Sequence, residues 1–213
     1  MKMCTRITAL TIGLSLSALA SAGISTASFY LDQSSALAGG FDYGRVDIVA
    51  DNVQGTVQFT VTPMHAANYS SVGPNFGVDR FGFNFSGLSS TPSQWQIRMP
   101  SGWRVLSNGA SSIGGFGNFV QLQRSGRGSA MAPLTFFIDL PNAGQALASN
   151  FALNSSGAST FFAAHVSGFD ASGIHDHYIG GSTLVSAPVP APGAVLLGAI
   201  GLGALTALRR MLT

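Results

Sequence analysis

The sequence predicts an all-β fold for residues 23–186, in the form of a single antiparallel β-sandwich or jelly-roll-like domain. This part contains no Glu and no Lys, so two good helix formers are absent. Gly, Ser, Thr, Asn, Phe and Val dominate instead, and they are typical of short strands joined by turns. Short segments of alternating apolar and polar residues recur along the chain, as half-buried strands require.

The first predicted strands are residues 44–49 and 55–62, with Asp51-Asn52 as the turn between them. In the second of these, Val57, Phe59 and Val61 face one side, and polar side chains face the other. The alternation predicts a strand with one face in the core. Residues 78–85 follow as another strand of this kind, with its phenylalanines on one face.

The middle of the chain continues the pattern. Residues 94–99 and 103–106 are predicted to form a hairpin, because Pro100-Ser101-Gly102 fits a tight turn between them. The remaining predicted strands are residues 116–123, 134–140, 160–166, 175–179 and 182–185. The third of these, residues 160–166, is apolar almost throughout, which predicts a central strand. Gly180-Gly181 is interpreted as the last turn, and residues 141–151 are the only place for a short helix.

Residues 1–22 are predicted to be a secretory signal peptide. Lys2 and Arg6 precede an apolar stretch at residues 7–20, and Ala20-Ser21-Ala22 supplies a small-residue cleavage site. A second possible cut follows Ala27. The one cysteine lies in the part removed, so the mature protein has no disulfide and no thiolate metal site, and no cofactor is predicted.

The C-terminal segment, residues 187–213, has three parts. A proline motif, Val189-Pro190-Ala191-Pro192, is followed by an uncharged apolar run at residues 193–208 and by Arg209 and Arg210. The run is long enough for a helix of about 24 Å, which would span a bilayer with its flanks included. The arginines then stay on the cytoplasmic side by the positive-inside rule. A transmembrane helix that stalls the exported chain in the membrane is predicted.

This order of parts resembles the C-terminal signal of the PEP-CTERM family, exported bacterial proteins that the membrane peptidase exosortase handles. The chain departs from the family at Ala191, where Glu is usual between the two prolines. Short blocks in the body, such as residues 134–137 and 161–166, are also similar to exported domains of this family. The resemblance implies a β-sandwich that is held by its tail and then delivered to the cell surface or to extracellular polymer. An ordinary C-terminal membrane anchor is the alternative.

Charge excludes one class of partner. Between residues 23 and 188 there are six arginines and eight aspartates, a net charge of −2. No basic patch for nucleic acid is present, and that class of function is rejected.

Few residues suggest chemistry. His175 and His177 flank Asp176, and in a strand the two histidines point to one face, where Asp170 or His165 could complete a metal site. A polar edge strand is the simpler interpretation. No Gly-x-Ser-x-Gly elbow is present. Without Glu, a glycosidase pair would have to be two aspartates, and nothing singles out two of the eight. No catalytic residue is therefore predicted, and the protein is expected not to be an enzyme.

Two functions therefore stand. The first is a non-catalytic surface or extracellular-matrix protein. The second is a carbohydrate- or metal-binding module on the same fold, because Trp95 and Trp103 flank a turn and exposed aromatic rings stack on sugars. Trp103 is expected in the core, and Trp95 is the candidate for an exposed ligand-binding ring. Extracellular polysaccharide is the possible partner.

Overall fold

A computed structural model describes residues 23–38, 40–64, 69, 71–86, 96–125, 133–171 and 173–185. The predicted signal peptide at residues 1–22 and the sorting signal at 187–213, with its helix at 193–208, lie outside the described residues. Trp95 lies outside them as well. The statements below concern the described part of the chain.

Twelve β-strands form two antiparallel sheets that pack face to face, so the predicted all-β, sandwich-like fold is confirmed. The strands are β1 Ile24–Leu31, β2 Gln33–Ser34, β3 Gly44–Asp51, β4 Thr56–Pro63, β5 Ser71–Phe83, β6 Gln96–Arg98, β7 Trp103–Ser112, β8 Asn118–Arg124, β9 Leu134–Asp139, β10 Phe162–Ala171, β11 Ile174–Gly181 and β12 Thr183–Leu184. The first sheet has the order β12-β1-β3-β4-β9-β6, and the second has the order β2-β11-β10-β5-β8-β7.

The core lies between the two sheets and is rich in aromatic rings. β4 alternates as predicted, with Val57, Phe59 and Val61 fully buried. The Phe59 ring of the first sheet stacks on Phe136 at 4.8 Å between centroids and meets Phe83 of the second sheet at 5.4 Å. Alternating residues from both inner faces thus build one apolar layer, as in other sandwiches.

Several predicted elements are confirmed by the structure. β3 and β4 form the predicted hairpin, and β10 lies inside the second sheet between β11 and β5, as its apolar sequence predicted. Residues 141–151 form two 3₁₀ turns, Ala143–Gln145 and Ala148–Phe151. No helix within the described residues is both long and apolar enough to cross a bilayer.

The predicted hairpin across residues 100–102 is wrong. β6 pairs with β9 in the first sheet, whereas β7 pairs with β8 in the second. The tight turn itself exists, because the Trp103 N–H donates to the Pro100 carbonyl at 3.2 Å. It carries the chain from one sheet to the other, so that Ile97 and Trp103 pack against the shared core from opposite sides. The expectation that Trp103 packs on the core is confirmed.

The interpretation of Gly180-Gly181 as a turn is also wrong, because both residues lie within β11. A Cβ at Gly180 would come within 2.7 Å of the Phe116 ring, and one at Gly181 would lie 2.1 Å from the Tyr30 carbonyl oxygen. The two glycines therefore allow a close approach of neighbouring chains, rather than a reversal of direction.

We expect Gly181→Ala to destabilise the protein by about 1–3 kcal/mol, because the new methyl group would push on the β1 backbone, which cannot move aside as a side chain can. The free energy of unfolding in urea measures the change. Gly73→Ala in β5 is the matched control, since the nearest atom to its Cβ lies at 3.5 Å. Equal stabilities of the two variants would contradict the close contact.

Candidate functional site

Three of the four histidines lie on the neighbouring strands β10 and β11. His165 pairs with Tyr178, and Val166 pairs with His177. Because side chains alternate along a strand, His165 faces outward from the second sheet, and His177 faces the core. The fourth histidine, His65, lies outside the described residues.

His177 is enclosed by aromatic rings. It is 3% exposed, and its ring centroid lies 4.9 Å from that of Phe169, 5.9 Å from Tyr43 and 6.0 Å from Tyr69. Neither ring nitrogen has a hydrogen-bond partner in the described part of the chain. The pKa of His177 is lowered to about 4, mainly by burial and to a smaller extent by the charge of His165, while Asp176 acts in the opposite direction. His177 is therefore a neutral imidazole at neutral pH.

His175, two residues earlier on the same strand, lies in solvent. Its side chain is 73% exposed, and its Nδ1 is 4.0 Å from Asp170 Oδ1. His165, the other expected third ligand, faces the opposite side of the sheet from His177. Among the described residues there is no group of three or more His, Cys, Asp or Glu that could hold a metal ion. Metal binding by His175 and His177 therefore stays a prediction. The described part of the chain offers no third ligand for it.

His165 is held between two carboxylates on the outer face. Its Nδ1 lies 2.6 Å from Asp79 Oδ1, and its Nε2 lies 3.7 Å from Asp176 Oδ1. The Tyr178 ring packs beside it, with centroids 4.6 Å apart. A β-bulge at this point of β5 brings Asp79 beside His165. His165 is therefore hydrogen-bonded within the fold.

The same outer face carries a row of polar side chains, which we name the arginine row. Its members lie opposite one another on five adjacent strands: Arg104, Gln123, Arg80, His165 and Tyr178. All eight aspartates of the chain are described, and none forms an ion pair with Arg80 or Arg104. The row thus offers two guanidinium groups that no carboxylate of the domain neutralises.

The outer face of the first sheet differs, because its arginines are paired. Arg98 donates two hydrogen bonds to Asp139, at 2.7 and 2.9 Å. These bonds hold the pKa of the Asp139 carboxyl below its usual value, while desolvation acts in the opposite direction. Arg45 pairs likewise with Asp47 at 2.7 Å. Only the second sheet therefore presents unpaired guanidinium groups on its face, among the residues that the structure covers.

The arginine row could not be found from the sequence, because its members are separated by up to about a hundred positions and meet only through strand pairing. Trp95, the ring that the sequence singled out, is not among the described residues. Comparisons of the chain with models of protein families, with curated proteins and with solved structures found no match.

Proposed function

We propose that this chain is an exported, non-catalytic surface or extracellular-matrix protein that is sorted through its C-terminal segment. An exosortase-type membrane peptidase is the proposed partner, acting at Val189-Pro190-Ala191-Pro192 while residues 193–208 and the arginines Arg209 and Arg210 hold the chain in the membrane. After cleavage the body would reach the cell surface or the medium. The observation that carries the proposal is the order of the proline motif, apolar run and terminal arginines.

The arrangement of the strands supports it. Among the described residues, the strands of the two sheets run from Ile24 to Leu184. The first and last strands also pair with each other, through Phe29 with Leu184 and Tyr30 with Thr183. The first and last described strands therefore stabilise each other within the domain. This arrangement is compatible with the loss of a segment on either side.

Intact mass of the protein from membrane and medium fractions of the producing cells tests the proposal. We expect a released form that ends between Val189 and Pro192. A variant in which Pro190 and Pro192 are both replaced by Ala should stay in the membrane fraction, because the rigid extended motif is lost. A mass that retains residues 193–213 in the membrane fraction alone would make the tail a permanent anchor and would overturn processing.

A second candidate function, binding of acidic polysaccharide, is favoured by the arginine row. Unpaired guanidinium groups are strong donors to carboxylates, and the Tyr178 ring beside His165 adds an aromatic surface. Arg104 and Arg80 lie two strands apart, which corresponds to a separation of about 10 Å along the row. An extended polymer with repeated carboxylates would match a line of donors of this kind.

Binding of an alginate-type uronate polymer, measured by calorimetry, tests this candidate. We expect the Arg80→Ala, Arg104→Ala double variant to bind at least about tenfold more weakly, because a hydrogen bond to a charged group contributes about 1.5–3 kcal/mol. Arg45→Ala, on the other sheet and paired with Asp47, is the control that should bind as the unmodified protein does. Unchanged affinity of the double variant, or equal affinity for a neutral glucan, would contradict it.

A further inference from the structure

We propose that the signal peptidase cuts the bond between Ala22 and Gly23, and that the mature protein begins at Gly23. The sequence left two positions open, after Ala22 and after Ala27. The inference rests on the proposed export. The contacts of β1 favour cleavage after Ala22 over cleavage after Ala27.

A cut after Ala27 would remove half of β1. This strand pairs with β3 over eight residue pairs, from Ile24 with Asp51 to Leu31 with Gly44. Four of those pairs involve residues 24–27. Ala27 also packs against the apolar core. A chain that begins at Ser28 would leave the corresponding half of β3 without its partner on that side, whereas a chain that begins at Gly23 keeps the whole ladder.

The same cut would remove a contact to a distant part of the domain. Ser25 Oγ accepts a hydrogen bond at 3.0 Å from the backbone N–H of Ala148, which begins the second 3₁₀ turn. Leu147, at the N-cap position of that turn, makes no side-chain capping hydrogen bond. Ser25 therefore supplies from β1 the acceptor that the turn itself lacks, and this would be lost with residues 23–27.

Gly23 makes two hydrogen bonds with Asn52. Its backbone nitrogen donates to Asn52 Oδ1 at 2.8 Å, and its carbonyl accepts from the Asn52 N–H at 3.4 Å. Cleavage before Gly23 would turn this amide nitrogen into an ammonium group with more protons to donate at the same place. The hydrogen bond to Asn52 would then be charge-assisted and stronger than the one between neutral groups.

N-terminal sequencing of the protein recovered from the producing cells tests the inference. We expect Gly23 as the first residue. A start at Ser28, or at another residue beyond the apolar stretch at residues 7–20, would overturn the inference and leave export intact. A chain that retains Met1 in every fraction would overturn both the inference and the proposed export. The two failures are thus distinguished by one measurement.

Thermal unfolding of the recovered protein gives a second readout. If the chain begins at Gly23, Asn52→Ala should lower the Tm at pH 7 by several degrees, and part of this difference should vanish at pH 9, where the α-amino group loses its charge. Asn142→Ala is the matched control, because its side chain accepts from the neutral amide of Gly144 at 3.1 Å and its effect should not change between these pH values. Equal pH behaviour of the two variants would contradict a free amino group at Gly23.

Discussion

Phe59→Ala is expected to destabilise the protein by about 3–5 kcal/mol, which is a large part of the stability of an ordinary domain. Phe59 is fully buried at the centre of the sandwich. Its ring stacks on Phe136 at 4.8 Å and meets the edge of Phe151 at 4.9 Å. Truncation would remove these contacts and leave a cavity between the two sheets, since rings held by both sheets cannot collapse into it. Urea unfolding followed by tryptophan or tyrosine fluorescence measures the loss.

Phe41→Ala is the control for this prediction, because Phe41 is 44% exposed and lies before β3. We expect its effect to be several times smaller than that of Phe59→Ala. Phe59→Leu should fall between the two, because it keeps most of the apolar volume. A loss of less than about 1 kcal/mol in Phe59→Ala would mean that the two sheets are not packed on a shared aromatic layer at this point.

The strands that could be predicted are those whose residues alternate strongly. In β4, Val and Phe side chains alternate with polar side chains, so the apolar residues lie on one face and the polar residues on the other. Burial of one face follows directly from that pattern. β1, Ile24–Leu31, was not predicted, although it pairs with β3 along its full length. Its first half carries small residues, Ser25, Thr26 and Ala27, whose hydropathies differ too little to show a period of two.

Turn chemistry predicted local reversals but could not tell which strands pair. Pro100-Ser101-Gly102 does form a tight turn, yet the strands on its two sides belong to different sheets. The opposite error occurred at Gly180 and Gly181, where glycines that fit under Phe116 and against Tyr30 were interpreted as a turn. In both cases the deciding contact comes from residues far away in the sequence, which a local pattern does not contain.

The candidate site shows the same limit. Spacing predicted that His175 and His177 share a face of their strand, but the depth of each depends on what covers the strand. Tyr43, Tyr69 and Phe169, from three other segments, enclose His177 and leave His175 in solvent. The strand period therefore predicts the direction of a side chain, whereas its environment is set by tertiary packing.

Lowering the pH from 7 to 4 is expected to destabilise the protein through His177, by up to about 3 kcal/mol from this one group. Burial, with a smaller contribution from His165, lowers its pKa from 6.5 to about 4 in the folded state. Between pH 6.5 and 4, His177 is therefore protonated in the unfolded chain but not in the folded protein. The free energy of unfolding falls as the pH falls through this range. The rings of Tyr43, Tyr69 and Phe169 carry no charge there, and Asp176 offsets only part of the burial.

His177→Leu should remove most of this pH dependence, because no group that gains a proton is left in the aromatic enclosure. At pH 7 the variant should be as stable as the unmodified protein or more stable, since it loses two buried nitrogens that have no partner among the described residues. Urea unfolding at pH 7, 6, 5 and 4 measures both effects. His175→Leu is the control, because its side chain is 73% exposed and it should keep the full pH dependence. If His177→Leu keeps the same fall in stability between pH 6.5 and 4, a group other than the enclosed imidazole takes up the proton on unfolding.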